Sequence, residues 1–171
     1  GAIFQQKINL HKGVGAKILI DKKPHPAYNA GGENALINGI SGNNKRYGDK
    51  EWLGFSGEDI EITIKFDNPT NINTIATRFF NANGQWIYSP KEINLQLKLE
   101  DGRAILIRKK IENTKSLLVD FNLNISQFYP EDKNLKATEL KIIIPSYGII
   151  PEGKQGAGHK PWTFIDEIII E

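Results

Sequence analysis

The stretch Asp59–Phe66, "DIEITIKF", places Ile60, Ile62, Ile64 and Phe66 on one face and Glu61, Thr63 and Lys65 on the other. Side chains of an extended chain point alternately to opposite faces, so this period of two marks a half-buried strand. "INLQLKLE" (93–100) repeats the pattern, with Ile93, Leu95, Leu97 and Leu99 against Asn94, Gln96, Lys98 and Glu100. Working outward, further strands are predicted in "NTIATRFF" (73–80), "AILIRKKI" (104–111), "VDFNLNI" (119–125), "ELKIIIP" (139–145) and "FIDEIIIE" (164–171). Turn formers separate them in "DNPTN", "NANG", "EDGR" and "PEDKN". Strands with one polar face, spaced by such turns, predict an all-β antiparallel sandwich. No stretch has the period of a long amphipathic helix, and no segment repeats.

Composition bounds the function classes. A chain of 171 residues with 39% hydrophobic side chains is expected to form one globular domain over 1–171. The 22 basic and 20 acidic residues balance to +2, too even a charge to point to nucleic acid. No apolar run approaches the roughly 20 residues of a membrane-spanning helix. Without cysteine there is no disulfide, thiolate metal ligand or cysteine nucleophile. A chain that begins Gly1-Ala2 and has no methionine is expected to be a processed or excised piece, with Gly1 a cleavage remnant. Residues 1–23 form an N-terminal segment whose role the sequence does not assign.

Two polar, glycine-rich regions break the strand pattern, about 24–57 and 145–161, and both carry aromatics. Long irregular loops in a compact domain tend to be functional. The first holds His25, Tyr28, Arg46, Tyr47 and Trp52. Aromatic rings can stack on the apolar face of a sugar while amides and guanidinium groups bond its hydroxyls. Trp52 and Phe55 lead straight into a strand and read as core; Arg46 and Tyr47, among Asn, Lys and Gly, read as exposed. In "RFFNANGQWIYSPKEI", an inward Ile75, Thr77 and Phe79 would turn Ala76, Arg78 and Phe80 outward. Phe80 and Trp86 then flank a turn bearing Asn81, Asn83 and Gln85, and Trp86 reads equally as a ligand contact or a cap on the sandwich. In "GAGHKPW", His159 reads as ordinary surface or as a ligand contact beside Trp162. The candidate ligand-binding set is therefore Arg46, Tyr47, Arg78, Phe80, Asn83, Gln85, Trp86, His159 and Trp162. Neither "GVGAKILI" nor "GAG" has the strand–turn–helix context of a phosphate loop, and the three histidines lack metal-ligand spacing. No acid–base pair or nucleophile set can be picked out.

In order, "YNAGGENALINGISG", "WLGFSGEDIEITIKF", "NGQWIYSPKEI" and "GAGHKPWTFIDEIII" resemble a discoidin-like domain of the coagulation factor 5/8 C-terminal type. The likeness spans about residues 28–171 and is to the version found at the C-terminus of Bacteroidetes glycoside hydrolases such as β-N-acetylhexosaminidases. It implies an antiparallel jelly-roll sandwich of about eight strands, shared with family 32 carbohydrate-binding modules, which bind glycans in loops at one end. It also implies a structural calcium where the chain ends meet, held mainly by carbonyl oxygens with an Asp and a late Glu. Here those positions are Asn38 and Glu167, and Asn43 in "NGISGNN" adds a candidate oxygen. Asn in place of Asp removes one negative charge from a hard-cation site.

The resulting expectation is a non-catalytic carbohydrate-binding module that keeps an attached glycoside hydrolase near its glycan, by effective concentration and not by tight binding. Its partners would be a glycan and a neighbouring catalytic domain, and its location the outside, periplasm or surface of a bacterium. The alternative is an accessory domain that packs on the catalytic domain without binding sugar. An enzyme would need convergent carboxylates, and a lipid-surface binder apolar spikes ringed by Lys and Arg.

Overall fold

A computed structural model describes residues 7–48, 51–132 and 135–171. Gly1, and with it the expected cleavage remnant, lies outside the described residues. Ten strands are present among them: β1 (Lys17–Ile20), β2 (Leu53–Ser56), β3 (Ile60–Asn71), β4 (Thr74–Phe80), β5 (Glu92–Leu99), β6 (Ala104–Lys110), β7 (Leu118–Asn124), β8 (Lys136–Ile144), β9 (Trp162–Ile165) and β10 (Ile169–Ile170). One antiparallel sheet has the order β1-β3-β8-β5-β6. In the other, β4 pairs with β7 on one side and with β9 and β10 on the other, and β9 pairs with β2. The helical segments are short 3-10 turns, and none of the described helices is long and apolar enough to cross a membrane.

The alternating stretches behave as their pattern requires. Ile60, Ile62 and Ile64 lie beside Leu95, Leu97, Leu140 and Ile142 on one wall of the main core, whose other wall is Ile75, Phe79, Phe121 and Ile165. The opposite face of the first sheet is wet; its pair Lys141–Glu61, 3.9 Å apart, adds little to stability. The "DNPTN" turn signal is instead a bulge: β3 continues through it, and its register with β8 shifts between Lys65 and Thr70. Proline has no N–H for a ladder, so a bulge is where a strand can hold Pro69. β1 and β2 were too short to read as alternation.

The second sheet departs from a half-wet sandwich. Its outer face carries a smaller apolar cluster of Trp52, Phe80, Ile87 and Phe164, with Tyr28, Tyr47, Leu118 and Trp162 packed against it. Trp52 is core, as expected, but of this outer layer. The loops between β1 and β2 cover that face through Tyr28, Tyr47 and Trp52.

Candidate functional site

The floor of the site comes from β9. Its alternation sends Ile165 into the main core and Phe164 into the outer cluster. Trp162 lies half-buried above, paired across the ladder with Ser56. Tyr28 is delivered by a 3-10 turn, Pro26–Tyr28, whose preceding residue His25 accepts the Ala27 N–H on Nδ1 at 3.1 Å. The His25 N–H bonds the Gly54 carbonyl of β2 at 2.8 Å. A side chain at Gly54 would collide with both the Phe164 ring and Tyr28 Cβ, at 2.7–2.9 Å, so glycine lets these rings close on each other. Tyr28 then meets Phe164 edge-on at 4.9 Å, Trp162 at 5.7 Å and Tyr47 at 5.9 Å. Tyr47 leans on Phe164 at 5.1 Å and Phe80 at 5.6 Å.

These rings wall a shallow cleft of about 110 Å³, lined by Tyr28, Tyr47, Gln85, Ile87, Trp162 and Phe164. Gln85 supplies an exposed amide from the short turn Asn83–Gln85. Trp86 follows in a left-handed conformation, φ 63°, which is costly for a residue with a side chain. Its indole therefore leaves the cleft side and enters the 145–161 loop. There it stacks on His159 at 4.8 Å and 25°. Gly156, at φ +83°, lies so close that a Cβ would stand 2.5 Å from the indole. The loop is closed at its neck by Ile150 N–H to His159 O and Gly158 N–H to Ile150 O. Backbone bonds from Trp162 N to Trp86 O (2.7 Å) and Tyr88 N to Trp162 O (3.1 Å) tie the turn to β9.

The Tyr47 loop, the Asn83–Gln85 turn and the start of β9 meet at this cleft, but not every candidate residue in them reaches it. Tyr47, Gln85 and Trp162 line it; Trp86 and His159 stack on each other and hold its neighbouring loop. Asn83 lines a different cleft. Arg46 is exposed on the Tyr47 loop. Two candidates are corrected. Phe80 is 1% exposed, because the outer cluster buries the face on which it was placed. Arg78 shares that face but is a clamp: its Nε and Nη2 donate to Asp166 Oδ2 at 2.9 and 2.6 Å, Nη2 also to Gly42 O, and Nη1 to Asn44 Oδ1. The guanidinium also lies 5.5 Å above the Trp52 ring. Tyr28 and Phe164 were missed as lining residues; the only signal was the aromatic content of their segments.

The predicted calcium ligands are divided. Asn38–Gly39 and Glu167 do meet, where the Gly39 N–H donates to Glu167 Oε2 at 2.7 Å. The same oxygen faces His11 Nε2 at 2.5 Å. His11 Nδ1 accepts from Gly13 and Ile170 N–H groups, which leaves Nε2 to donate. Asn38 Oδ1 accepts from Ile40 N, and its amide donates to Glu51. Asn43 Oδ1 accepts from Lys45 and Arg46, and its carbonyl accepts from Trp52 Nε1 at 2.9 Å. Calcium takes six to eight oxygens. Here the offered side-chain oxygens already face N–H donors, Glu167 Oε1 excepted, and no group of three acidic or histidine side chains that could hold a metal occurs among the described residues. Of these three side chains Glu167 alone offers an oxygen without a hydrogen-bond partner, so a cation here would rest on it and on carbonyl oxygens. Burial pushes the Asp166 carboxyl above its ordinary value against the pull of Arg78, and that of Glu167 likewise against His11 and Gly39.

No protein-family model and no curated protein matches this sequence. Solved structures do match it in fold. A family 32 carbohydrate-binding module of Clostridium perfringens in complex with GlcNAc-α-1,4-galactose superposes with a TM-score of 0.56 at 9% identity, over 94% of this chain and 93% of that one. The family 32 module of Streptococcus pneumoniae EndoD gives 0.54 at 15%, over 94% and 98%. The lectin domain of lectinolysin complexed with Lewis B antigen gives 0.54 at 10%, over 94% and 95%. The chain has the discoidin-like sandwich of these modules.

Proposed function

We propose that this chain is a carbohydrate-binding module whose sugar site is the cleft of Tyr28, Tyr47, Gln85, Ile87, Trp162 and Phe164. The observation that carries the reading is an accessible aromatic wall with an amide at its rim, built where three loops meet. Half-buried rings offer an apolar surface to a pyranose C–H face at small entropic cost, and Gln85 can both donate and accept toward hydroxyls. The neighbours' glycan complexes fit the same reading. The chain acts without chemistry of its own: the two buried carboxylates, Asp166 and Glu167, are engaged in holding loops and not in a cleft. Its role is to keep an attached catalytic domain, in a glycoside hydrolase outside the cytoplasm, near its substrate.

A glycan array with the isolated chain, followed by calorimetry on the best ligand, tests this. Gln85→Ala and Trp162→Ala should each weaken binding by ~1–2 kcal/mol, a rise in Kd of about 5- to 30-fold. A chain that binds no glycan on the array, or binds one equally well in both variants, contradicts the reading.

A further inference from the structure

The turn that carries Gln85 into the first cleft also contributes Asn83 to another. That cleft, of about 230 Å³, is lined by Asn83, Tyr88, Lys91, Glu112, Asn113 and Tyr147 among others. Its frame is fixed by the buried Asn81. The Asn81 amide donates to Thr114 O at 2.9 Å and Ser116 O at 3.0 Å, and its Oδ1 accepts from Ser89 N at 3.2 Å. One side chain thus ties the turn, the start of the β5 approach and the 113–116 loop together. Tyr88 and Tyr147 pack at 4.7 Å, with Lys91 Nζ 4.6 Å from the Tyr147 ring centre. Tyr88 is 5% exposed, and its hydroxyl is buried in the wall of this cleft without a hydrogen-bond partner among the described residues. A buried hydroxyl left unpaired is costly and rare, so it calls for a reason.

We propose that this Tyr88–Tyr147 cleft is a second carbohydrate subsite, taking the sugar next along the same glycan. The proposal rests on the reading of the first cleft as a sugar site. Its chemistry is of the same kind: two aromatic rings, the Asn83 and Asn113 amides, an ammonium and a carboxylate at the rim, and one hydroxyl in want of a partner. Asn83 and Gln85 are two residues apart, so their Cα atoms are separated by no more than about 7 Å. That is a span one sugar ring bridges. The two ends of this turn line different clefts, Asn83 one and Gln85 the other, and Trp86, which follows in a left-handed conformation, ends the turn. The ligand class is then an oligosaccharide of two or more units laid over the turn, and not a single terminal sugar.

The test is calorimetry of the intact chain with galactose, GlcNAc and GlcNAc-α-1,4-galactose, comparing wild type, Tyr88→Phe, Gln85→Ala and Trp162→Ala. Tyr88→Phe keeps the ring and removes only the unpaired hydroxyl, so its melting temperature should match or exceed wild type. It should weaken the disaccharide about fivefold and leave both monosaccharides unchanged. Equal disaccharide affinity in Tyr88→Phe and wild type overturns the subsite, as does a marked fall in melting temperature, which would mean the hydroxyl already has an internal partner. Loss in Tyr88→Phe with none in Gln85→Ala or Trp162→Ala would sink the first cleft and overturn this one as its neighbouring subsite. No binding of any of the three sugars by wild type sinks both.

Discussion

Trp52 and Gln85 should separate stability from binding at the level of single residues. Trp52 is fully buried, bonds Asn43 O through Nε1 and lies under Arg78. Trp52→Ala should cost about 3–5 kcal/mol in urea unfolding, whereas Gln85→Ala, on an exposed turn, should stay within about 0.5 kcal/mol of wild type. Tyr47 is a poorer probe than its polar neighbours suggest, since it packs on Phe80 and Phe164 and its loss would affect fold and site together. Arg78 is the sharper case. Arg78→Ala would leave Asp166, 1% exposed, without its cation. Removing one partner of a buried pair costs about 3–5 kcal/mol. Adding Asp166→Asn should recover part of that loss, because no unpaired charge then remains buried. Purely additive losses in the double variant would mean that the ion pair is not what Arg78 contributes.

Among the elements, the break between β9 and β10 does the most positioning. "FIDEIIIE" reads as one strand, but Asp166–Ile168 leave the ladder. Asp166 and Glu167 then reach the 38–44 loop, holding Gly42 N–H and Gly39 N–H respectively. A run of apolar residues gives no sign of such a break; two adjacent acids inside it were the one available hint. His11 completes the junction from a segment that carried no recognisable motif. N–H groups hold Asp166 Oδ2 and Glu167 Oε2, so the junction is expected to close without calcium, although Asp166 Oδ1 and Glu167 Oε1 have no hydrogen-bond partner among the described residues. Adding calcium or a chelator should leave the melting temperature unchanged. A rise of several degrees with calcium would show that carbonyl oxygens and Glu167 Oε1 form a cation site after all.

At the scale of the whole molecule, the sandwich was legible wherever one strand face meets water. β3, β5 and β6 alternate cleanly because their outer residues, such as Glu61, Lys65 and Lys98, are solvated. β4 was legible on its inner face only: Ile75 and Phe79 enter the core, but Phe80 points outward into a second apolar layer that no local pattern announces. The candidate site was legible in its loops and residue types but not in which residues share a cleft, because two residues of one turn, Asn83 and Gln85, line different clefts. The central claim is that sugars bind over the outer aromatic layer of the second sheet. The most direct measurement is a ¹H–¹⁵N titration of the labelled chain with GlcNAc-α-1,4-galactose, read residue by residue. Shifts should concentrate on the Trp162 indole, on Tyr47, on Gln85 and around Tyr88, leaving the β5–β6 hairpin still. Shifts confined to the Lys109–Asn122 side of the sandwich, or none at millimolar sugar, would contradict the account.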